Sequence, residues 1–135
     1  MSALHVEGVL ALLEGLPYTL YRGQVPDRPS FPYVVVFADT GREDSSGRRL
    51  TGHARDAFDV QVNSVALSDA AVRVVADDVR RRLLNARPTI PGRRCGLIRH
   101  QSSIPVRADR DVTDPDTGLN PMWSADMYTF QSVPE

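Results

Sequence analysis

The residues best suited to chemistry are four aspartates in one turn-rich segment. They are Asp109, Asp111, Asp114 and Asp116. Carboxylate oxygens are the ligands that Ca²⁺ prefers. A calcium loop also needs glycine at its sixth position and a bidentate glutamate at its end, where this chain has Asp114 and Asn120. We therefore predict a turn rather than a metal site, with calcium binding as the weaker alternative.

The histidines and the single cysteine form no catalytic or metal-binding pattern. His5, His53 and His100 lack the spacing of zinc ligands, and we expect them on a helix surface, in a loop and on a strand. Cys95 has no disulfide partner within the chain and is expected to be a buried strand residue. Phosphate-binding loops and nucleophile motifs are also absent from the sequence. We predict no catalytic residue, no metal and no cofactor, and therefore a protein that is not an enzyme.

The basic residues are the remaining candidates, because all sixteen of them are arginine. Arg48–Arg49 and Arg93–Arg94 are pairs in predicted loops, without acidic partners at helical spacing. Guanidinium groups are planar, weakly hydrated and common at protein interfaces, so these pairs are candidates for contacts between molecules. The net charge of −1 provides no general attraction to nucleic acid.

Length and composition indicate one soluble domain. The chain has 135 residues, of which 41% are hydrophobic and 24% are charged, and this fits a single core. The N-terminus has no basic segment before an apolar run, and no apolar run is long enough to cross a membrane. We therefore expect synthesis in a cytoplasm and no membrane partner.

The clearest structural signal is a long strand that leads into an amphipathic helix, at residues 54–84. Phe58, Val60 and Val62 alternate with polar residues and predict a strand with one apolar face. Ser68 is suited to cap the helix, and an apolar stripe at helical spacing follows it. The stripe consists of Val72, Val75, Ala76, Val79 and Leu83. Pairs at i, i+4 are expected on the other faces, namely Asp69–Arg73, Asp77–Arg81 and Asp78–Arg82.

The other segments complete an α+β domain that spans residues 1–135. We predict a helix over 2–16 that buries Val6, Val9, Leu10 and Leu13, strands over 18–22, 33–38, 95–103 (continuing to 108) and 123–132, a proline-rich link over 23–32 and a turn over 109–121. Both faces of the last strand are fairly apolar, so this strand is either central or has its second face under a helix or a neighbouring subunit. The polar residues 39–53, here called the arm, separate two strong strands and predict a long β-hairpin. The fold class is α+β: a mostly antiparallel sheet of about four to five strands, with two helices packed on one face and the long β-hairpin arm.

Several features, taken in order, resemble one known family. A short helix leads to a proline-punctuated segment, and a polar arm is followed by a strand, an arginine-rich helix and a last aromatic strand. The residues that carry the resemblance are Pro32-Tyr33-Val34-Val35-Val36, Phe58-Asp59-Val60-Gln61-Val62, Leu83-Leu84, Asp116-Thr117-Gly118, Trp123 and Tyr128. Together they resemble the tail-completion, or tail terminator, proteins of long-tailed bacteriophages.

The resemblance implies a structural protein of the virion. Such a subunit would form a homo-oligomeric ring, usually of six copies, on the head-proximal end of the tail tube. The ring would stop tube polymerisation and present a surface for head-tail joining. Its partners would be the tail tube protein and a head-tail connector or stopper protein, with DNA only passing through the lumen. The family has no catalytic residues to carry over.

The interface is expected to involve the arm, the arginine pairs, the acidic turn and the last strand. The candidate residues are Arg42, Glu43, Asp44, Arg48, Arg49, His53, Arg93, Arg94, Asp114, Asp116 and Trp123. The alternative function is a head-tail stopper or adaptor of the same virion neck. A small calcium-binding or nucleic-acid-binding α+β module is the weaker third possibility.

Overall fold

Two helices and seven strands make up the part of the chain that the computed structural model describes, residues 2–44 and 55–135. In chain order they are α1 (Ser2–Leu13), β1 (Thr19–Arg22), β2 (Tyr33–Ala38), β3 (Arg42–Asp44), β4 (Arg55–Ala66), α2 (Asp69–Leu83), β5 (Arg93–Cys95), β6 (Arg99–Ala108) and β7 (Met122–Pro134). Neither helix is long and apolar enough to span a membrane.

The strands form one mixed sheet, in the order β1-β2-β4-β7-β5, with β3 beside β4 and β6 beside β7. The β1–β2 pair is parallel and the other pairs are antiparallel. The predicted α+β class with a mostly antiparallel sheet is therefore confirmed. The strand count exceeds the predicted four to five, partly because the predicted strand at residues 95–103 is split. Ile98 is 1% exposed and its N–H bonds to the carbonyl of Ala86 at 2.8 Å, which pulls the chain off the sheet.

The central strand and the second helix form as predicted. Phe58, Val60 and Val62 of β4 are at most 3% exposed. The backbone N–H of Ala71 donates to Oγ of Ser68 at 3.2 Å, so the predicted cap of α2 is present. The buried stripe of α2 consists of Val72, Val75, Val79 and Leu83. This stripe packs on the sheet, and such packing of an apolar face is the main source of stability for a helix in a protein.

Only one of the three acid–arginine pairs predicted on α2 forms within this described helix. Nε of Arg73 lies 2.9 Å from the carboxylate of Asp69. Arg81 instead contacts Asp78, three rather than four residues before it, at 3.0 Å, and Arg82 donates to the carbonyl of Glu14 at 2.9 Å. The carboxylate of Asp78 also accepts the hydroxyl of Tyr18, at 2.5 Å. Arg82 and Asp78 therefore contact the segment between α1 and β1 instead of pairing with each other.

The first helix is shorter than predicted and buries a different face. It ends at Leu13 rather than near residue 16. Its buried residues are His5, Gly8, Val9 and Leu13, whereas the predicted stripe was Val6, Val9, Leu10 and Leu13. Gly8 faces inward because a Cβ there would lie 3.0 Å from Cγ1 of Ile90, so glycine permits a close approach between α1 and that loop.

The core lies between the two helices and one face of the sheet. Even-numbered residues of β2, β4 and β7 point into it, including Val36, Val62, Tyr128 and Phe130, each at most 2% exposed. Strand β7 pairs with β4 on one side and with β5 and β6 on the other. Its two fairly apolar faces are therefore explained by a central position, which was one of the two interpretations of the sequence.

Candidate functional site

The face of the sheet opposite the helices carries an open groove of about 730 Å³. Its floor is formed by odd-numbered strand residues, among them Tyr33, Val35, Val65 and Trp123. Val65 and Trp123 are partners in the β4–β7 ladder, so two distant strands supply adjacent floor residues. Residues 25–31 and residues 109–117 form the two walls.

The groove combines an apolar floor with an acidic rim. Among the described residues, four carboxylates line it, those of Asp27, Asp109, Asp114 and Asp116. They outnumber the two guanidinium groups there, that of Arg28 in the lining and that of Arg107 over the Trp123 ring. Burial raises the pKa of the Tyr33 hydroxyl, and the nearby carboxylate of Asp109 raises it further. The floor is therefore partly dehydrated and lies in a negative potential, which favours a ligand that is apolar and basic.

The acidic turn that forms one wall is organised by Asp114. Its carboxylate accepts hydrogen bonds from the backbone N–H of Thr117 at 3.2 Å and from the Thr117 hydroxyl at 2.6 Å. The N–H of Gly118 also donates to the Asp114 carbonyl, at 2.8 Å. Asp114 is 8% exposed, and its bonds to Thr117 and Gly118 hold the turn in place. Within residues 2–44 and 55–135, no three His, Cys, Asp or Glu side chains are grouped as a metal site.

The described part of the arm starts with a bulge at Gly41. Gly41 has a backbone φ of +91°, and a Cβ there would lie 2.6 Å from the ring of Phe58. Asp39 holds the bulge, since its Oδ1 accepts the backbone N–H of Gly41 at 3.0 Å and that of Asp59 at 3.2 Å. Glycine therefore lets β3 continue the line of β2 along β4.

Strands β3 and β4 form the base of the predicted hairpin. Arg42 pairs with Ala57 and Asp44 with Arg55 in antiparallel register. Nη1 of Arg42 also contacts the carboxylate of Asp59 at 2.5 Å. The predicted hairpin is thus present at its base. The rest of the arm, residues 45–53, and Ala54 lie outside the described part of the chain.

A buried polar network ties this base to the domain. Nη2 of Arg93 lies 2.6 Å from Oδ2 of Asp56, and Nε of Arg93 donates to Oγ of Ser132 at 2.8 Å. Nε2 of His5 lies 2.8 Å from the same Ser132 hydroxyl. The imidazole of His5 also stacks on Phe58 with ring centroids 3.7 Å apart. Helix α1 and strands β4, β5 and β7 therefore meet at this network.

Two predictions are wrong at this network. Arg93 was expected in a loop, free for contacts with other molecules, but it lies on β5 with its side chain 6% exposed and paired with Asp56. His5 was expected on a helix surface, but it is 1% exposed. Both residues face inward because β5 and α1 close over the end of the core at Ser132.

The other predicted interface residues fall into four groups. Asp114, Asp116 and Trp123 are brought together in the groove, where the guanidinium carbon of Arg107 lies 5.7 Å from the Trp123 ring centroid. Arg42, Glu43 and Asp44 are on β3 at the base of the arm, and Arg94 is exposed on β5. Arg48, Arg49 and His53 lie outside the described residues.

Asp56 and Ser132 were missed, although the sequence carries a signal for Asp56. It lies two residues before Phe58 and so shares the apolar face of β4. A carboxylate on an apolar strand face needs a buried partner, which Arg93 provides. A similar signal precedes Tyr128, where Asp126 is 4% exposed and pairs with Arg80 at 3.1 Å.

Comparison with known proteins supports the resemblance noted in the sequence. The chain matches the family model of tail completion protein gp17 over residues 3–122. The chain belongs to this family. It is therefore a structural protein of the bacteriophage tail, and its place is in the tail of the virion; the predicted family and this location are confirmed.

A solved structure shares the fold. A chain of the virion of a native gene transfer agent (GTA) particle superposes with a TM-score of 0.64 at 14% sequence identity. The match covers 100% of this chain and 95% of that chain, and at this identity it concerns the fold alone. No curated protein sequence matches the chain.

Proposed function

We propose that the protein is a tail terminator. Copies of it form a ring, of six in the arrangement that the resemblance implies, on the head-proximal end of the tail tube. The ring stops polymerisation of the tube and presents the surface on which the head is joined. The observation that carries this proposal is the family match over residues 3–122, which includes both walls of the groove and the base of the arm.

The geometry supports a ring more than an isolated subunit. The arm leaves one end of β4, beside Arg55, and the groove lies near the other end, beside Val65. Two different surfaces on one subunit would allow head-to-tail contacts, and such contacts close into rings when the rotation between copies is suitable. A self-complementary dimer would instead use one patch twice.

The proposed role needs no catalysis. Its chemistry is surface complementarity between copies, with the tail tube protein and with a head-tail connector or stopper protein. DNA is in contact only while it passes through the lumen. The net charge of −1 suits this role, because a strongly basic lining would retain the passing DNA.

The test is electron microscopy of tails that are assembled with and without this protein. We expect tubes of uniform length that join heads when it is present, and overlong, headless tubes when it is absent. If tubes stop at the normal length without it and only head joining is lost, the protein is a stopper or adaptor, and the terminator proposal fails.

The arm can be tested separately. Replacing residues 45–54 with Asn-Gly joins β3 to β4 by a two-residue turn and keeps the Asp44–Arg55 pair. We expect this variant to fold with an unchanged urea midpoint but to leave tubes uncapped. Normal capping by the variant would show that the arm has no role in assembly.

A further inference from the structure

We infer that the groove on the helix-free face binds the tip of the arm of a neighbouring copy. The tip comprises residues 45–54, SSGRRLTGHA, which contain two arginines, one leucine and no acidic residue. This inference rests on the proposed function, because it specifies the contact by which copies would join. It names a second copy of this chain as the occupant.

Charge and polarity of the two surfaces are complementary. The groove offers the carboxylates of Asp27, Asp109 and Asp116 around an apolar floor, while the tip offers Arg48, Arg49 and Leu50 in sequence. Guanidinium groups pair with carboxylates through bidentate hydrogen bonds. A leucine beside two arginines can cover the floor while the arginines meet the rim, as at the apolar centre and polar edge of protein interfaces.

The groove floor around Val65 is out of reach of the tip of the same copy. Ten residues anchored at Asp44 and Arg55 extend at most about 20 Å from the base of the hairpin. Val65, on the groove floor, is ten residues further along β4 than Arg55, a distance of about 34 Å along the strand. The tip can therefore cover Val65 and its neighbour Trp123 in another copy but not in its own.

The same separation gives the contact a direction. Each copy would donate its tip to the next copy and receive a tip from the previous one. This is a heterologous contact, and it links any number of copies until the ring closes. Because the carboxylates of Asp27 and Asp116 are exposed, the contact should weaken as salt concentration rises.

The test is cross-linking between two single-cysteine substitutions on separate chains. One variant carries Leu50→Cys in the tip, and the other carries Val112→Cys in the groove wall, where Val112 is 46% exposed. The native thiol of Cys95 gives little background, because it is buried and burial raises its pKa. The two variants are mixed, assembled on tail tubes and oxidised mildly.

We expect a covalent dimer from this mixture and not from the matched control. The control replaces Val112→Cys with Leu4→Cys on α1, where Leu4 is 45% exposed but lies outside the groove. Adding Arg48→Glu and Arg49→Glu to the tip variant should lower the dimer yield several-fold. An unchanged yield would overturn the electrostatic basis of the contact.

The inference and the proposed function can fail separately. If tubes are capped but Leu50→Cys and Val112→Cys give no more dimer than the control, the tip does not occupy the groove. If, in those tubes, the thiol introduced by Val112→Cys is also protected from maleimide, the occupant is the tube or connector protein, which likewise overturns the inference. If the dimer forms but tubes remain uncapped, the contact stands and the terminator role is wrong.

Discussion

Replacing Asp56 by leucine should destabilise the domain by breaking the buried pair at the base of the arm. The change removes the carboxylate 2.6 Å from Nη2 of Arg93, whose side chain is 6% exposed. Removing one partner of a buried pair costs about 3–5 kcal/mol. The side chain of Asp56 keeps 25% exposure, so water compensates in part and we expect the lower end, about 3 kcal/mol.

The assay is urea unfolding followed by far-ultraviolet circular dichroism. A loss of about 3 kcal/mol should lower the unfolding midpoint with an unchanged slope, and in a thermal scan it should lower Tm by about 12 °C. The matched control is Glu7→Leu, which breaks the exposed contact of Glu7 with Arg22. An exposed pair of this kind contributes less than about 1 kcal/mol.

A second variant separates the charge from the packing. Asp56→Leu combined with Arg93→Met replaces both partners by apolar groups, and such replacements are often neutral. We therefore expect the double variant to recover most of the loss. If Asp56→Leu alone unfolds at the same midpoint as Glu7→Leu, the pair contributes nothing, and the reasoning about this network is refuted.

Three further predictions concern single positions. Gly41→Ala should lower the free energy of unfolding in urea by about 2 kcal/mol, because a Cβ would meet the ring of Phe58 at 2.6 Å. The control Gly92→Ala, at φ +73° with open space around it, should lower it less. Equal losses for the two variants would exclude the clash. Leu83→Ala, at 0% exposure, should lower the unfolding free energy by about 3 kcal/mol, and a loss below about 1 kcal/mol would mean that the site collapses. Burial raises the pKa of Tyr128 from 10 to about 12, so the folded state holds the hydroxyl proton more tightly than the unfolded state. The contribution of this proton to the free energy of unfolding is complete below pH 10 and is lost as the pH rises to about 12. Between pH 10 and 12 the urea midpoint should fall less steeply with pH for Tyr128→Phe than for the unchanged protein. The same dependence on pH in both proteins would contradict the raised pKa of Tyr128.

Much of the fold follows from local patterns in the sequence. The alternation of Phe58, Val60 and Val62 and the stripe of α2 depend on neighbours two to four residues apart, which backbone geometry alone brings to one face. Ser68 caps its helix through a residue three positions away. Such features need no knowledge of distant partners, and they were predicted with the correct residues except Ala76, which is only partly buried.

The sequence by itself therefore determined the α+β class, the central strand and helix, and the family. The tertiary structure alone decided that Arg93 is buried against Asp56, 37 residues away, and that His5 reaches Ser132, 127 residues away. It also formed the groove, since its walls come from residues 25–31 and 109–117 and become neighbours only through the sheet order. The physical reason is that periodicity identifies which face of an element is buried, whereas strand register decides which distant side chains share that buried space.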